Sequence, residues 1–417
     1  MFKQLTQYRS LSAWAARMML LSALVTLAAC SSNDDDEDDI SAGDTDVGDT
    51  GDGDADSPAG PALAFVAAAA PDFSAGQVER IVIDDVIMAD GTLPATLSDI
   101  RVATDGTDVY QVGRFGIESI TRFSPDDLET PIFQFSTAQG GSPNTQEIVF
   151  ASETKAYVLQ SSSPSILIVN PAATTEAEFI TGSIDISDYD AEGEPDAIAG
   201  VIVDGRLFVL MQRLLGFAPF NMGAVAVFDT ESDVELEIGL NFEGLNGIVL
   251  GTTNPEGLQY VEEFNELVVT SRGNLFSEFN EVPGDPYQGG LETIDADTFA
   301  VNLLLDDGTQ ESNDGFFNAS LVTSAERGYV VTTGGFQNNT LRSFSPLTGL
   351  LDEGVVAGLE GMDLTTLANG PRGLVWVGVG GDTPGFYLLD PADNSIVGDL
   401  VATQFIPNDI VFLESSN

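Results

Sequence analysis

A unit of two apolar strands and a polar turn recurs seven times in this sequence. In each copy, the second of these strands ends in an aliphatic or Phe residue, followed by Asp, Ser or Asn and then a turn. The polar side chain can bond its own backbone two residues on, which favours the turn. The seven polar residues, spaced 40, 46, 59, 66, 50 and 45 residues apart, are Asp84, Ser124, Asn170, Asp229, Asp295, Ser345 and Asp390. A repeat of this length constrains the fold strongly, because each copy buries its apolar face against its neighbours.

The segments between these turns predict strands. They are short, rich in β-branched and aromatic residues, and separated by Gly, Pro, Asn and Asp, with no amphipathic helix after residue 61. This pattern is typical of an all-β fold. The spacing is that of a four-stranded propeller blade, with insertions in the fourth and fifth copies.

The two ends of the repeat region predict how the ring closes. Residues 407–413 form a first strand with no second strand after it, whereas Phe65 begins a second strand with no first strand before it. If the C-terminal strand completes the N-terminal blade, no long sheet edge stays open. The sequence therefore predicts a seven-bladed β-propeller over residues 61–417. Spacing alone also fits two packed β-sandwiches, and the split first blade favours the propeller.

A resemblance to a known family supports this fold. Residues 329–335, Tyr-Val-Val-Thr-Thr-Gly-Gly, and the segment 340–349 that follows resemble the repeat of the YVTN-type seven-bladed propellers. The resemblance implies the propeller fold and an extracytoplasmic location. It implies no catalytic residue, because that family hosts several functions.

The N-terminus has the features of an export signal. Residues 1–17 carry three basic residues and no acid, and an apolar run from Met18 to Ala28 follows them. A basic segment, a short apolar segment and small residues before a cleavage point describe a signal peptide. The apolar run is shorter than the roughly 20 residues that a spanning helix requires. We expect residues 1–29 to be this signal peptide.

The end of the signal peptide predicts a lipid anchor. Leu27-Ala28-Ala29-Cys30 resembles the bacterial lipobox, in which the Cys is diacylated and becomes the new N-terminus. Two acyl chains hold a protein stably at a membrane. Because residue 31 is Ser, the resemblance implies an outer-membrane lipoprotein of the cell envelope, on its periplasmic face or at the surface. The alternatives are an ordinary signal peptide with an incidental Cys, or an uncleaved anchor.

The segment after Cys30 predicts a spacer. Residues 30–60 hold 12 acids and no base, with few apolar side chains. Such a segment buries too little surface to offset its chain entropy, so we expect a disordered acidic tether. The predicted propeller keeps 54 acids against 11 bases, a net charge of −43. This charge indicates solubility in a saline setting first and cation binding second.

Composition excludes several kinds of site. The chain has no His and one Cys. A Ser-His-Asp triad, a His-ligated metal or haem, an internal disulfide and an iron–sulfur cluster are therefore excluded. A net charge of −52 argues against nucleic acid as a partner. The arginines after the signal peptide, among them Arg114 and Arg272, are interpreted as structural partners of nearby acids.

Acidic residues at the predicted openings of the first strands form a candidate metal site. In a propeller these openings lie around one end of the central channel. Calcium takes six to eight oxygen ligands, and calcium-dependent lactonases resemble this arrangement. Ca²⁺ is therefore the one cofactor that the pattern allows, although acids also occur at turns by abundance. The carboxylates are Asp99, Glu147, Asp196, Glu256, Asp363 and Asp409, and the amides beside them are Asn318 and Asn408.

Aromatic residues in the insertions form a candidate binding surface. Long loops between the second and third strands of blades four and five lie on the same predicted face as these acids, as does the loop that enters blade six. Loops of this length are often functional. The aromatic side chains either form an exposed platform beside an acidic rim or fold inward and plug the channel. They are Phe217, Phe220, Phe276, Phe279, Tyr287, Phe316 and Phe317.

Two functions remain open from the sequence. The favoured hypothesis is a lipid-anchored propeller that binds a protein, a glycan or a small ligand at the cell envelope, without catalysis. The alternative is a calcium-dependent hydrolase or lactonase that uses the acids at the channel end.

Overall fold

The computed structural model describes residues 62–238, 244–334 and 339–413. The predicted signal peptide, Cys30 and the acidic tether lie outside these residues. None of the helices in the described ranges is both long and apolar enough to cross a bilayer. Within these ranges the regular structure is almost entirely β, with one short helix, α1 (Glu176–Phe179), and two 3-10 turns at Ser187–Tyr189 and Pro371–Gly373.

The strands of the first three blades follow the chain order. They are β1 (Ala62–Ala69), β2 (Gly76–Ile83), β3 (Ile87–Thr92), β4 (Ile100–Thr104), β5 (Val109–Gly113), β6 (Ser119–Phe123), β7 (Phe133–Ser136), β8 (Thr145–Ser152), β9 (Lys155–Gln160), β10 (Ser165–Val169) and β11 (Ile180–Asp185).

Blades four and five and a small hairpin come next. Their strands are β12 (Ala197–Val203), β13 (Arg206–Met211), β14 (Met222–Asp229), β15 (Val234–Glu235), β16 (Ile248–Thr253), β17 (Pro255–Val261), β18 (Glu266–Ser271), β19 (Gly290–Asp295), β20 (Val301–Asp306), β21 (Gly308–Thr309) and β22 (Ser312–Asn313).

The last two blades and the closing strand complete the chain. Their strands are β23 (Phe316–Val322), β24 (Gly328–Thr333), β25 (Asn339–Ser345), β26 (Leu350–Val355), β27 (Leu364–Asn369), β28 (Val375–Val379), β29 (Gly385–Asp390), β30 (Ser395–Ile396), β31 (Val401–Ala402) and β32 (Ile406–Leu413).

These strands form seven antiparallel blades. From the inner to the outer strand, the blades are β32-β1-β2-β3, β4-β5-β6-β7, β8-β9-β10-β11, β12-β13-β14-β15, β17-β18-β19-β20, β23-β24-β25-β26 and β27-β28-β29-β30. The prediction of a seven-bladed β-propeller is confirmed. Each polar turn residue identified in the sequence ends the third strand of its blade or follows it directly.

The ring closes through the last strand of the chain. β32 pairs antiparallel with β1, from Leu63 opposite Leu413 to Ala69 opposite Ile406. The first blade is therefore built from both ends of the repeat region, as the sequence predicted. β1 packs on both faces, with Val66 against blade seven and Phe65 against blade two, which explains its continuous apolar sequence.

The apolar core is divided among the blade interfaces. The described residues form seven hydrophobic clusters, and each cluster lies between two adjacent blades. The largest buried side chains, among them Trp376, Tyr110 and Tyr157, belong to these interfaces. The core therefore joins each blade to its neighbours around the ring.

The extra length of blade four is not confined to the predicted loop. Its outer edge is made by two strands, β15 and β16, which both pair with β14. The chain between them adds residues after the third strand as well as before it. The sequence pattern located the insertion before β14 and missed this second one.

A buried carboxylate fixes the chain at the point where the closing strand begins. Glu79 on β2 is fully buried, and its oxygens accept hydrogen bonds from the backbone N–H groups of Gln404 and Phe405 at 2.9 to 3.0 Å. The side chain of Gln77 donates a further bond at 3.2 Å. The backbone N–H groups of Gln404 and Phe405 lie just before β32, so Glu79 fixes the chain where that strand begins.

We expect Glu79→Gln to lower the free energy of unfolding by about 2 kcal/mol, because hydrogen bonds to a charged acceptor contribute roughly 1.5–3 kcal/mol. Urea unfolding monitored by Trp fluorescence measures this change. The control is Glu153→Gln in the exposed turn between β8 and β9. Equal midpoints for the two variants would show that Glu79 does not support closure.

Candidate functional site

A β-bulge near the start of the inner strand recurs in six of the seven blades. At each bulge the pairing with the second strand shifts by one residue. Bulges re-aim side chains and are frequent at barrel rims and beside active sites. The extra residues are Gln146, Ile198, Glu256, Asn318, Thr365 and Asn408.

These bulges mark one end of the central channel, which we call the channel mouth. Neighbouring strands in a blade are antiparallel, so the loops that enter the inner strands and the loops between second and third strands share this end. We call the surface formed by these loops the mouth face. It carries the acids and the insertions that the sequence singled out.

A cavity of about 270 Å³ opens at the channel mouth between β32, β4 and β8. One part of its wall is apolar, formed by Val102, Ala103, Val112, Ile148 and Val411. The polar part consists of Arg101, Thr104, Gln146, Glu147 and Asp409. The cavity thus combines a hydrocarbon surface with a small group of charges.

Glu147 and Asp409 are the two carboxylates of this cavity. Glu147 accepts a hydrogen bond from the Gly200 N–H at 2.8 Å, and Asp409 accepts one from the Val102 N–H at 3.2 Å. Burial raises the pKa of Glu147 to about 7, although Arg101 and the Gly200 amide oppose the rise. Burial also raises the pKa of Asp409, again opposed by Arg101. Both acids therefore lie where their charged forms are costly.

Two further arginines neutralise acids at the channel mouth. Arg114 pairs with Asp99 at 3.0 Å, and its second terminal nitrogen donates to the side-chain oxygen of Gln146 at 2.6 Å. Arg272 pairs with Glu256 at 2.9 Å. The expectation that Arg114 and Arg272 pair with nearby acids is thus met, but the pairs lie at the channel mouth.

Four of the six predicted metal-binding carboxylates come together here. Burial lowers the pKa of Arg114, and the charges of Asp99, Glu256 and Asp409 oppose this effect. Arg101 lowers the pKa of both Glu147 and Asp409, against the effect of their burial. Their partners are guanidinium groups, which compete with a cation for the same oxygens. Within the part of the chain that the structure describes, no three acidic side chains are close enough to hold a metal ion. This arrangement does not fit a calcium ring.

The other two predicted carboxylates have different surroundings. Asp196 accepts a hydrogen bond from the Leu214 N–H at 2.9 Å, and so supports the blade-four insertion. Burial raises its pKa to about 7. Asp363 precedes β27, where its carbonyl accepts a hydrogen bond from the Gly380 N–H at 2.8 Å.

Four of the seven predicted platform aromatics are exposed. Phe217 and Phe279 are each 77 % exposed, and Phe220 and Phe276 are also exposed, so these four do not plug the channel.

The other three platform residues have different roles. Tyr287 and Phe316 stack on each other, with ring centroids 4.3 Å apart, and are half-buried. Phe317 was expected in the binding surface, but it is fully buried between blades five and six, where it packs with Val330 and Phe344. Phe317 alternates with Phe316 along β23, so the two rings lie on opposite faces of the strand.

Two exposed phenylalanines were missed by the sequence reasoning. Phe73 and Phe115 lie in the short loops between the second and third strands of blades one and two. The repeat locates both loops, but a single Phe in a short loop carries no signal of an insertion. Together the exposed aromatics form a set that we call the phenylalanine crown: Phe73, Phe115, Phe217, Phe220, Phe276 and Phe279.

The crown is confined to one face. Every aromatic side chain that is exposed in the described ranges belongs to it, and each lies in a loop between second and third strands. The loops come from blades one, two, four and five. The mouth face therefore carries apolar rings on most sides of the channel.

Another buried acid, Asp307, lies beneath the blade-five loop. Asp307 is fully buried, and one of its oxygens accepts a hydrogen bond from the Gly289 N–H at 3.2 Å. The other oxygen is buried without a hydrogen-bond partner in the described structure. Burial raises the pKa of Asp307 to about 7, and nearby Asp306 and Asp285 raise it further.

Comparison with known proteins shows the fold. No protein-family model and no curated protein sequence matches the chain. A protein from Lactobacillus plantarum is similar in structure, with a TM-score of 0.58, 14% identity and coverage of 85% of this chain and 100% of the other. The likeness lies in the fold alone.

Two proposed 6-phosphogluconolactonases are similar in the same way. The one from Bacteroides uniformis has a TM-score of 0.54 at 10% identity and covers 85% of this chain and 99% of its own. The one from Bacteroides fragilis has a TM-score of 0.55 at 11% identity and covers 85% and 98%. The chain is a seven-bladed propeller whose fold is similar to that of these three proteins.

The raised pKa of Asp307 predicts how the stability of the protein changes with pH. Its folded pKa of about 7 lies above the reference value of 3.8. Its contribution to stability is therefore fully present below pH 4 and is lost as the pH rises through about 7. We expect the stability of Asp307→Asn relative to the unsubstituted protein to rise by roughly 4 kcal/mol between pH 4 and pH 8, at 1.36 kcal/mol per pKa unit.

Urea unfolding at a series of pH values measures this difference. The control is Asp382→Asn, at an exposed carboxylate of the mouth face, and the pH profile of Asp307→Asn is compared with its profile. Parallel pH profiles for Asp307→Asn and the unsubstituted protein would contradict the assignment.

Proposed function

We propose that this chain is an exported, lipid-anchored propeller that binds a protein or glycan partner of the cell envelope through the mouth face. The observation that carries the proposal is the confinement of the exposed aromatics to that face. Exposed apolar patches of this kind mark interaction sites, and aromatic residues are enriched in protein interfaces.

The loops that carry the crown are braced against the body of the propeller. In blade four, the guanidinium of Arg213 donates to the carbonyl oxygens of Tyr189 at 2.7 Å and Met222 at 3.0 Å. In blade five, Asn274 donates its backbone N–H to Pro286 at 2.9 Å. Loops held in one conformation lose less entropy on binding. The crown is thus preorganised to meet a partner.

The charge of the domain narrows the class of partner. The propeller carries a net charge of −43. Electrostatic complementarity favours a partner with basic groups among its apolar contacts, and like charge repels acidic ones. A basic protein surface satisfies this condition directly, whereas a glycan would bind through neutral hydroxyl groups and stacking on the rings.

The proposed location rests on the N-terminal sequence. Cleavage before Cys30 and its acylation would place the propeller at the end of the acidic tether of residues 31–60. Like charges extend the tether. The mouth face could then reach a partner at a distance from the bilayer.

The calcium-dependent alternative is less well supported. The fold likeness to two proposed lactonases is compatible with hydrolysis, but fold alone does not carry a function. The carboxylates that would bind calcium face Arg101, Arg114 and Arg272.

Replacing two rings of the crown is expected to weaken partner binding strongly. Phe217→Ser with Phe279→Ser removes the two most exposed rings, and we expect at least a tenfold loss of binding to purified envelope fractions immobilised on a sensor. Prior protease or glycosidase treatment of the fraction distinguishes a protein from a glycan partner.

The matched control changes exposed apolar residues at the opposite end of the blades. Leu347→Ser with Val86→Ser alters two such side chains in turns after third strands. We expect this variant to bind as the unsubstituted protein does. Equal loss in both variants, or in neither, would refute binding through the mouth face.

Replacement of Cys30 tests the anchor. We expect Cys30→Ser to leave the protein in the soluble fraction after cell disruption, because no acyl chain can be attached. Fractionation and immunoblotting measure the distribution, with Ser31→Ala as the control. Membrane retention of Cys30→Ser would refute lipidation at this residue.

A further inference from the structure

We propose that the cavity at the channel mouth binds a small organic cation, one ammonium group on a short apolar body. This inference goes beyond the proposed function, since it concerns the cavity between β32, β4 and β8 and uses none of the crown residues. It follows from the charges, the free hydrogen-bonding oxygen and the wall of this cavity.

Two of the four carboxylates at the channel mouth are neutralised by arginines. Arg114 with Asp99 and Arg272 with Glu256 form two ion pairs.

The two remaining acids are influenced by shared arginines: Arg101 acts on both, and Arg114 acts on Asp409 as well. Glu147 and Asp409 both face Arg101 across the cavity. Four carboxylates against three guanidinium groups leave one negative charge when all are ionised. A monovalent cation restores the balance.

The hydrogen bonds of the two acids identify a free acceptor. Glu147 uses Oε2 to accept from the Gly200 N–H, and its Oε1 has no hydrogen bond to the described residues. Asp409 uses Oδ2 to accept from the Val102 N–H and Oδ1 from the N–H of Ile410. An ammonium group can donate to Oε1 of Glu147 without breaking any of these bonds.

The apolar residues of the cavity wall determine which uncharged part of the ligand fits beside the ammonium group. Val102, Val112, Ile148 and Val411 offer a hydrocarbon surface next to the charges. The volume of about 270 Å³ lies below the usual range for drug-sized ligands. A short alkyl or small ring attached to the ammonium group fits this space.

The long-range electrostatic field of the domain also favours a positively charged ligand. A domain with a net charge of −43 attracts cations, and a channel with low-dielectric walls focuses that field. An anion would be repelled by Glu147 and Asp409. A calcium ion needs six to eight oxygen ligands, and here the oxygens of these two acids also face Arg101.

Binding of a cation is coupled to release of a proton. The groups that act on Glu147 are Arg101, which lowers its pKa, and Asp409, which raises it, after the larger effect of burial. Below pH 7 the protonated form of Glu147 must lose its proton before it can pair with the ligand. Affinity should therefore rise about tenfold from pH 6 to pH 8.

The test is isothermal titration calorimetry of the full chain in detergent, with n-butylammonium as the probe. The comparison ligands are 1-butanol, which has the same body without charge, butyrate, and calcium chloride, all at one ionic strength. We expect saturable binding of n-butylammonium at pH 8, at least tenfold tighter than that of the others. Tighter binding of butyrate, butanol or calcium would overturn the proposal.

Substitutions place the binding in the cavity. Glu147→Gln should weaken n-butylammonium binding at least tenfold and remove its pH dependence. The matched control, Glu153→Gln, lies in the turn at the other end of β8 and should bind normally. Asp409→Asn serves as a second variant if Glu147→Gln is unstable, and circular dichroism checks both. Unchanged binding in a folded variant of either acid would overturn the proposal.

The cation site and the binding surface of the mouth face can be tested independently. The crown variant Phe217→Ser with Phe279→Ser should bind n-butylammonium normally. Glu147→Gln should bind envelope fractions normally. Loss of n-butylammonium binding in the crown variant would contradict a cation site within the cavity.

Discussion

Pairing between β32 and β1 is the interaction on which the rest of the structure depends. It joins the two ends of the repeat region in one sheet and removes the open edge that a linear stack of blades would leave. Closure brings the starts of seven inner strands to one end of the channel. Residues from distant parts of the sequence, such as Arg101 and Asp409, meet there as a consequence.

The strand pattern of the propeller was predictable from the sequence because its signals are local. A polar residue such as Asp295 after a strand specifies a turn from its own side chain, and Phe65 without a preceding strand indicated the shared first blade. The outer edge of blade four was not predictable, since β15 and β16 are short and pair with β14 only in the folded sheet.

The candidate site was only partly predictable. Asp99 and Glu256 were found because they lie beside turns. Their pairing with Arg114 and Arg272 depends on bulges and on neighbouring blades, which single-sequence spacing does not encode. Phe317 was misassigned because adjacent residues in a strand face opposite sides, and the choice between Phe316 and Phe317 requires the register of β23.

The seven clusters between blades have a consequence for how the molecule comes apart. Each blade shares its apolar surface with both neighbours. Detaching any one blade exposes two interfaces at once, so partial unfolding of a single blade loses apolar contacts on both of its faces. A propeller built in this way should therefore unfold cooperatively, since no blade can leave without disrupting both of its neighbours.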